Sequence, residues 1–207
     1  GTRGALLETC PERTTCPVFE GSHSSGYEWQ FQVSTSLDLT PPRVVSTMPI
    51  SGAPPYAPNI VIQMMFDEPI DPTSIDASTI EIMSRPAVGS PVQPAGRYTI
   101  TNGYSTVEFV TNVGCGVNSC GRQVFCLPAS SQITVTAKGA TLSDTPPQAV
   151  AVAGLFDGIV DRAWNSLDGN GNGTAEGVGD NKTVDFRTSE SPNLSAPVIR
   201  TFEPPIN

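Results

Sequence analysis

The sequence predicts an all-β chain: an antiparallel β-sandwich of about seven short strands, with one possible short helix near residues 154–167. Three observations carry this. Short stretches of apolar residues either alternate with polar ones or run continuously for a few positions, as strands of a sandwich core do. Between them lie turn-forming residues, drawn from 19 glycines and 20 prolines in 207 residues. One pair of such stretches flanks Asn102-Gly103, a strong signal for a tight hairpin turn.

The strands follow in order. Arg43–Thr47 (RVVST) lies between Pro-Pro and Pro49, and Ile60–Phe66 (IVIQMMF) is a short apolar run suited to a buried strand. Thr79–Met83 (TIEIM) alternates strictly. Arg97–Thr101 (RYTIT) and Ser105–Val110 (STVEFV) form the hairpin around Asn102-Gly103. Gln132–Ala137 (QITVTA) alternates again, and Thr183–Thr188 (TVDFRT) closes the series. Seven strands with turns between them describe a sandwich. GLFDGIVDRAWNSLDG has a different period. Its Leu155, Phe156, Ile159, Ala163, Trp164 and Leu167 recur at helical spacing, which predicts a short amphipathic helix. Gly158 in its middle opposes that prediction.

Composition narrows function. The net charge is −9 and the only lysines are Lys138 and Lys182, so the chain repels phosphate backbones and no nucleic-acid partner is expected. No run of 18 apolar residues occurs, so no membrane span is expected. The opening GTRGALLETC lacks the apolar stretch of a signal peptide. The expectation is a removed leader or a segment of a longer chain.

The two ends repeat each other. Phe31, Ser34, Leu39, Pro42 and Pro49 recur in the same spacing as Phe186, Ser189, Leu194, Pro197 and Pro204. Each copy reads as a strand, a polar linker, a proline and another strand, which predicts a tandem array. Residues 1–36 would end a preceding module or donate a strand. Residues 40–190 would form a complete module, and 195–207 would begin a following one or form a C-terminal extension.

PPRVVSTMPISGA, the strand ending Phe66-Asp-Glu-Pro-Ile-Asp71-Pro72, the stretch DGIVDRAWNSLDGNGNGTAEG and the closing Val184–Ser189 together resemble the bacterial Ig-like domain of S-layer and other surface proteins. Trp164 stands where that family usually has glycine. The resemblance implies an Ig-like sandwich, a cell-surface or secreted location, and no shared active site. CGVNSCGRQVFC, residues 115–126, is an addition to the family pattern.

Chemistry-bearing residues are few. His23 is the only histidine and sits in the small polar stretch GSHSSG. A Ser-His-Asp arrangement would need it, and an exposed loop histidine is the plainer reading. Asp67, Glu68, Asp71 and Asp76 offer carboxylate pairs of the kind glycosidases use. Their place in a Pro-containing turn equally suits capping of backbone amides.

The stretch Asp168-Gly-Asn170-Gly-Asn172-Gly173-Thr174-Ala-Glu176 has oxygen ligands at alternate positions and glycine sixth, as a calcium loop begins. Asp168, Asn170, Asn172, Thr174, Glu176 and Asp180 are the candidate calcium ligands. Asp157, Asp161 and Asp185 are possible additions. The twelfth position is Gly179 rather than a bidentate glutamate. A turn using left-handed glycine and asparagine conformations is the alternative.

Five cysteines fall in two clusters: Cys10 and Cys16, then Cys115, Cys120 and Cys126. No CxxC occurs, so disulfides in an oxidising compartment are expected ahead of zinc or redox catalysis, with one cysteine left over. Their pairing is open at this point. Trp29, Phe156 and Trp164 could make an aromatic platform for sugar, although core packing is the expectation for Phe156 and Trp164.

The expected function is therefore a non-catalytic structural module of an extracellular bacterial surface protein or fibre. Its partners would be neighbouring Ig-like modules or identical subunits. The alternatives are a filament subunit joined by strand exchange and an accessory module, within a secreted enzyme, that binds a glycan or protein.

Overall fold

A strand with one face in a core must bury every second side chain. In Ile62–Phe66 (β2) the side chains of Ile62, Met64 and Phe66 are buried, while Gln63 and Met65 are only partly covered. Ser131–Ala137 (β8) follows the same rule, burying Ser131, Ile133, Val135 and Ala137. The computed structural model describes residues 36–141, 149–150 and 155–196, and all seven expected strands are present among them. The remaining segments, including Cys10, Cys16, His23 and Trp29 and nearly all of the two expected partial modules, lie outside the described residues.

Two antiparallel sheets form the sandwich. The first has the order β1-β2-β5-β4, with Val44–Met48 (β1), Gly96–Thr101 (β4) and Thr106–Thr111 (β5). The second has the order β11-β8-β3, with Ile80–Pro86 (β3) and Lys182–Arg187 (β11). Register is continuous from Lys182 opposite Ala137 to Arg187 opposite Gln132. On the other side of β8 it runs from Ile80 opposite Ala137 to Pro86 opposite Ser131. The β4–β5 hairpin turns at Asn102-Gly103, both with positive φ (51° and 64°), the conformation that asparagine and glycine tolerate best.

The inner faces meet in one core. Ile62, Met64, Phe66, Val107 and Phe109 come from the first sheet, and Ile82, Ile133, Val135, Val184 and Phe186 from the second. Ile70, Ile159 and Leu167 reach the same core from connecting segments. Four further short strands lie outside those seven: Gly114–Val117 (β6) with Gln123–Phe125 (β7), and Ala149–Val150 (β9) with Leu155–Phe156 (β10).

The predicted helix near 154–167 is absent from its described part. Residues 155–167 run as short extended pieces instead. Ile159 pairs in parallel with Gly139, and Val160 pairs antiparallel with Ser166. Ile159 N donates to Lys138 O at 2.8 Å, and Leu167 N donates to Ile159 O at 3.0 Å. Gly158 decides against the helix. A Cβ there would lie 2.3 Å from the backbone of Gly139 and of Ala140, so the chain presses against its neighbour as only glycine can. The apolar residues of this stretch serve two cores. Ile159 and Leu167 enter the main one, while Phe156 and Val160 form a small cluster with Ala140.

Ile133 lies at the centre of β8 with no solvent exposure. Ile133→Ala is expected to lower the unfolding free energy by about 3–4 kcal/mol in urea titrations, from the lost burial and the cavity left in a packed core.

Candidate functional site

The glycine- and asparagine-rich loop after Leu167 is organised around one buried carboxylate. Asp168 Oδ1 accepts from the amides of Gly171 (2.7 Å) and Asn172 (3.1 Å). Its Oδ2 accepts from Gly173 N at 2.7 Å and from Arg43 Nε at 2.9 Å. The side chain of Asp168 is fully buried, whereas that of Arg43 is 40% exposed. Burial pushes the Asp168 carboxyl up. The bonds from Gly173, Gly171 and Arg43 outweigh it and hold the group below the usual carboxylate range. Asp168 N also donates to Pro42 O at 2.9 Å. One residue thus joins the loop to the segment that enters the sandwich.

The other expected calcium ligands form a second group. Asp180, fully buried, accepts from Asn170 Nδ2 at 2.6 Å through Oδ1 and from Glu176 N through Oδ2. Glu176 Oε2 accepts from Asn172 Nδ2 at 3.1 Å and from Asn170 Nδ2 at 3.3 Å. Asn170 Oδ1 caps Asn172 N, and Asn172 Oδ1 caps Thr174 N. The loop's oxygens therefore face the loop's own amides. Asp168, Glu176 and Asp180 do not form a three-carboxylate cluster among the described residues. The suggested additional ligands are engaged elsewhere. Asp157 accepts from Thr141, and Asp185 from Thr134 Oγ1 at 2.6 Å. What this arrangement can do is brace backbone. A cation using Oδ1 of Asp168 would compete with the Gly171 and Asn172 amides, and one using Oδ2 would compete with Gly173 N and Arg43 Nε.

The Phe66–Asp76 carboxylates mostly cap turns. Asp71 Oδ1 accepts from Thr73 N at 2.8 Å at the start of a single 3-10 turn, Pro72–Ser74. Asp76 Oδ1 accepts from Ser78 N at 2.7 Å and Thr79 N at 3.1 Å. Asp67 Oδ1 accepts from Arg43 N at 2.7 Å.

Glu68 differs. It shares one spot with Asp38 and Asp161, their carboxylate oxygens lying within 4.8 Å of one another. Asp161 is buried and bonded to Ala163 N, Asn165 N and Asn165 Nδ2 at 2.7–2.8 Å. Among the described residues, Glu68 has no such donors. Burial, then the charges of Asp161, Asp38 and Asp67, push it up to about 7. This grouping was invisible in the sequence, because Asp38, Glu68 and Asp161 are far apart along the chain. The pairing of Ile70 with Asp161, with Asp71 N bonded to Val160 O beside it, brings the last two together.

The cysteines resolve differently from the closest spacing. Cys115 is bonded to Cys126, while Cys120 is free and exposed. The β6–β7 hairpin explains this. It sets Gly114 opposite Phe125, so Cys115 and Cys126 close its open end and Cys120 lies at its turn.

Phe156 is buried, as expected. Trp164 packs edge-on against it at 5.7 Å yet is 44% exposed. Trp164 also has φ of 69°, a left-handed conformation that glycine adopts without strain. Asp161 holds that turn by accepting from Trp164 N through its backbone carbonyl.

These features define an antiparallel Ig-like sandwich whose polar residues mainly brace turns and linkers. Residues 38–114 match the bacterial Ig-like domain family. Domains of that family are found in bacterial surface proteins and are generally non-catalytic. The match ends at Gly114, before the disulfide hairpin and the Asp168 loop. No curated protein and no solved structure gave a significant match. Among the described residues, no helix is long and apolar enough to cross a membrane.

Glu68 carries a pH prediction. Its folded pKa lies above the ordinary value of 4.5, so the folded state binds the extra proton. Its stabilising contribution is full below about 4.5 and is lost as pH rises through about 7. Asp161, also raised by burial, acts in the same direction. Asp168 and Asp76 are lowered, so their contributions persist across this window and are lost only in acid. Thermal stability is expected to fall between pH 5 and 8. Glu68→Gln is expected to remove about 1 kcal/mol of that fall, a figure discounted for partial solvent screening. An unchanged pH slope in Glu68→Gln would contradict the assignment.

Proposed function

We propose that this chain is a spacer module of an extracellular bacterial surface protein, transmitting position and force between neighbouring Ig-like modules rather than catalysing a reaction. The observation that carries this reading is where the chain enters and leaves. Pro42, two residues before β1, is bonded to Asp168. Gly169 packs so tightly against the start of β11 that a Cβ there would lie 1.9 Å from Asp180 O and 2.9 Å from Lys182 N. Entry therefore lies at the Lys182 end of β11, and exit follows Arg187 at the other end. Six residues of strand separate the two by roughly 17–20 Å. Between them, the chain from Ser51 to Tyr56 runs alongside β11. Gly52 N donates to Asp185 O, Tyr56 N to Arg187 O, and Tyr56 pairs in parallel with Thr188.

A module entered at one pole and left at the other adds length when repeated, and proline in the linkers limits bending. The entry linker is also held. Asn165 Nδ2 donates to Asp38 O at 3.2 Å, and Asp38 Oδ1 caps Thr40 N at 3.2 Å. The sequence repeat between residues 31–49 and 186–204 supports the same reading.

Small-angle scattering on a chain of three concatenated modules provides the test. The maximum dimension is expected to approach three times that of one module. Compact particles, little longer than a single module, would count against the spacer reading.

A further inference from the structure

The stretch that leaves β11 is gripped by the body of the module. Asn59 Nδ2 donates to Asn193 O at 2.7 Å, and Asn193 N donates back to Asn59 Oδ1 at 2.9 Å. A primary amide that offers a donor and an acceptor to one residue's backbone imitates a strand pairing. One residue further on, Leu194 lies over Gly116, where a Cβ would sit 3.4 Å from Leu194 Cδ1. Leu194 O accepts from Ser119 N at 3.4 Å. Leu194 is half-buried, whereas Asn193 and Ser195 beside it are exposed. Glu190 and Pro192 line the same cavity as Pro58 and the Cys115–Cys126 bond.

Gly116 and Ser119 belong to the β6–β7 hairpin, which has little to hold it. Three residue pairs join its strands, with a register shift between Gly114 and Gly116. A two-stranded ribbon of this size is at best marginal in water. The disulfide closes its open end, beside Cys126 N bonded to Val113 O at 2.9 Å.

We propose that Asn59 and the disulfide-pinned hairpin form a strap that seats the exit linker, so that the oxidised state of Cys115–Cys126 sets the direction in which the chain leaves the module. Reduction would come from a dithiol. Its two thiols become one disulfide while the Cys115–Cys126 bond becomes two thiols. The hairpin then loses its pin and Leu194 its seat. The consequence for a following module rests on the spacer reading; the strap itself does not.

Amide exchange followed by NMR on the whole chain tests this, read at Asn193 and Ser119 with β8 and β11 amides as controls. Asn59→Ala is expected to speed exchange at Asn193 about tenfold or more, with the controls unchanged, because a locally held amide exchanges through local opening. Cys115→Ser/Cys126→Ser, and the wild type in excess dithiothreitol, are expected to speed both reporter amides. If the double cysteine variant loosens the control amides too, the dithiothreitol arm decides the redox part. Unchanged Asn193 exchange in Asn59→Ala overturns the strap. Unchanged exchange under dithiothreitol overturns its redox dependence. Compact three-module particles combined with a faster Asn193 would remove the spacer reading and leave the strap standing.

Discussion

The Asp168 carboxylate is the constraint on which the rest of the arrangement depends. It is buried, it accepts from Gly171, Asn172 and Gly173, and it pairs with Arg43. A buried anion is tolerated only when its charge and lone pairs are met. Meeting them fixes three things together: the path of the loop, the position of Arg43 at the head of β1, and the bond from Asp168 N to Pro42 O. Arg43 immediately precedes β1 of the first sheet and the second sheet ends with β11, so a single side chain ties entry to closure. Gly169 completes the tie through its close approach to Asp180 and Lys182. The half-exposed Arg43 partner alone would be worth little, as surface ion pairs are. The amide cradle makes the interaction structural.

The two ends of the module follow one logic. Each linker is held by an asparagine side chain from the body, Asn165 on Asp38 and Asn59 on Asn193. Such bonds are individually modest, about 1 kcal/mol net, but a linker needs only a bias in direction, not a lock. The acidic group at Asp38, Glu68 and Asp161 lies at the entry end. Charge repulsion there opposes the hold that Asn165 supplies.

Much of the fold was legible because its signals are local. β3 and β8 announce themselves by alternation, β2 by a short apolar run, and Asn102-Gly103 by the left-handed backbone its turn requires. The helix near 154–167 failed because periodicity cannot report a tertiary approach. The spacing of Phe156, Ile159, Trp164 and Leu167 fits one helical face, yet Gly158 brings the backbone against Gly139, and the residues separate into two clusters. The short strands β6, β9 and β10 escaped notice for a related reason, since two to four residues of ribbon carry no pattern. Within the loop, the alternating oxygens of Asp168, Asn170 and Asn172 were visible, but not their occupants. Sequence spacing gives the ligands a metal would use; it does not show Arg43, 125 residues earlier in the chain, reaching Asp168. The Cys115–Cys126 bond likewise follows from the hairpin, whereas residue spacing left the pairing open.

The central claim is that the Asp168 loop satisfies itself and thereby locks the entry strand. Hydrogen exchange at the Gly171 and Gly173 amides, measured with a calcium chelator present and again in millimolar calcium, addresses it most directly. A self-satisfied cradle keeps both amides slow in chelator, with no change when calcium is added. Fast exchange in chelator that becomes slow only with calcium would show that an ion, rather than Arg43 and the loop's own amides, organises Asp168.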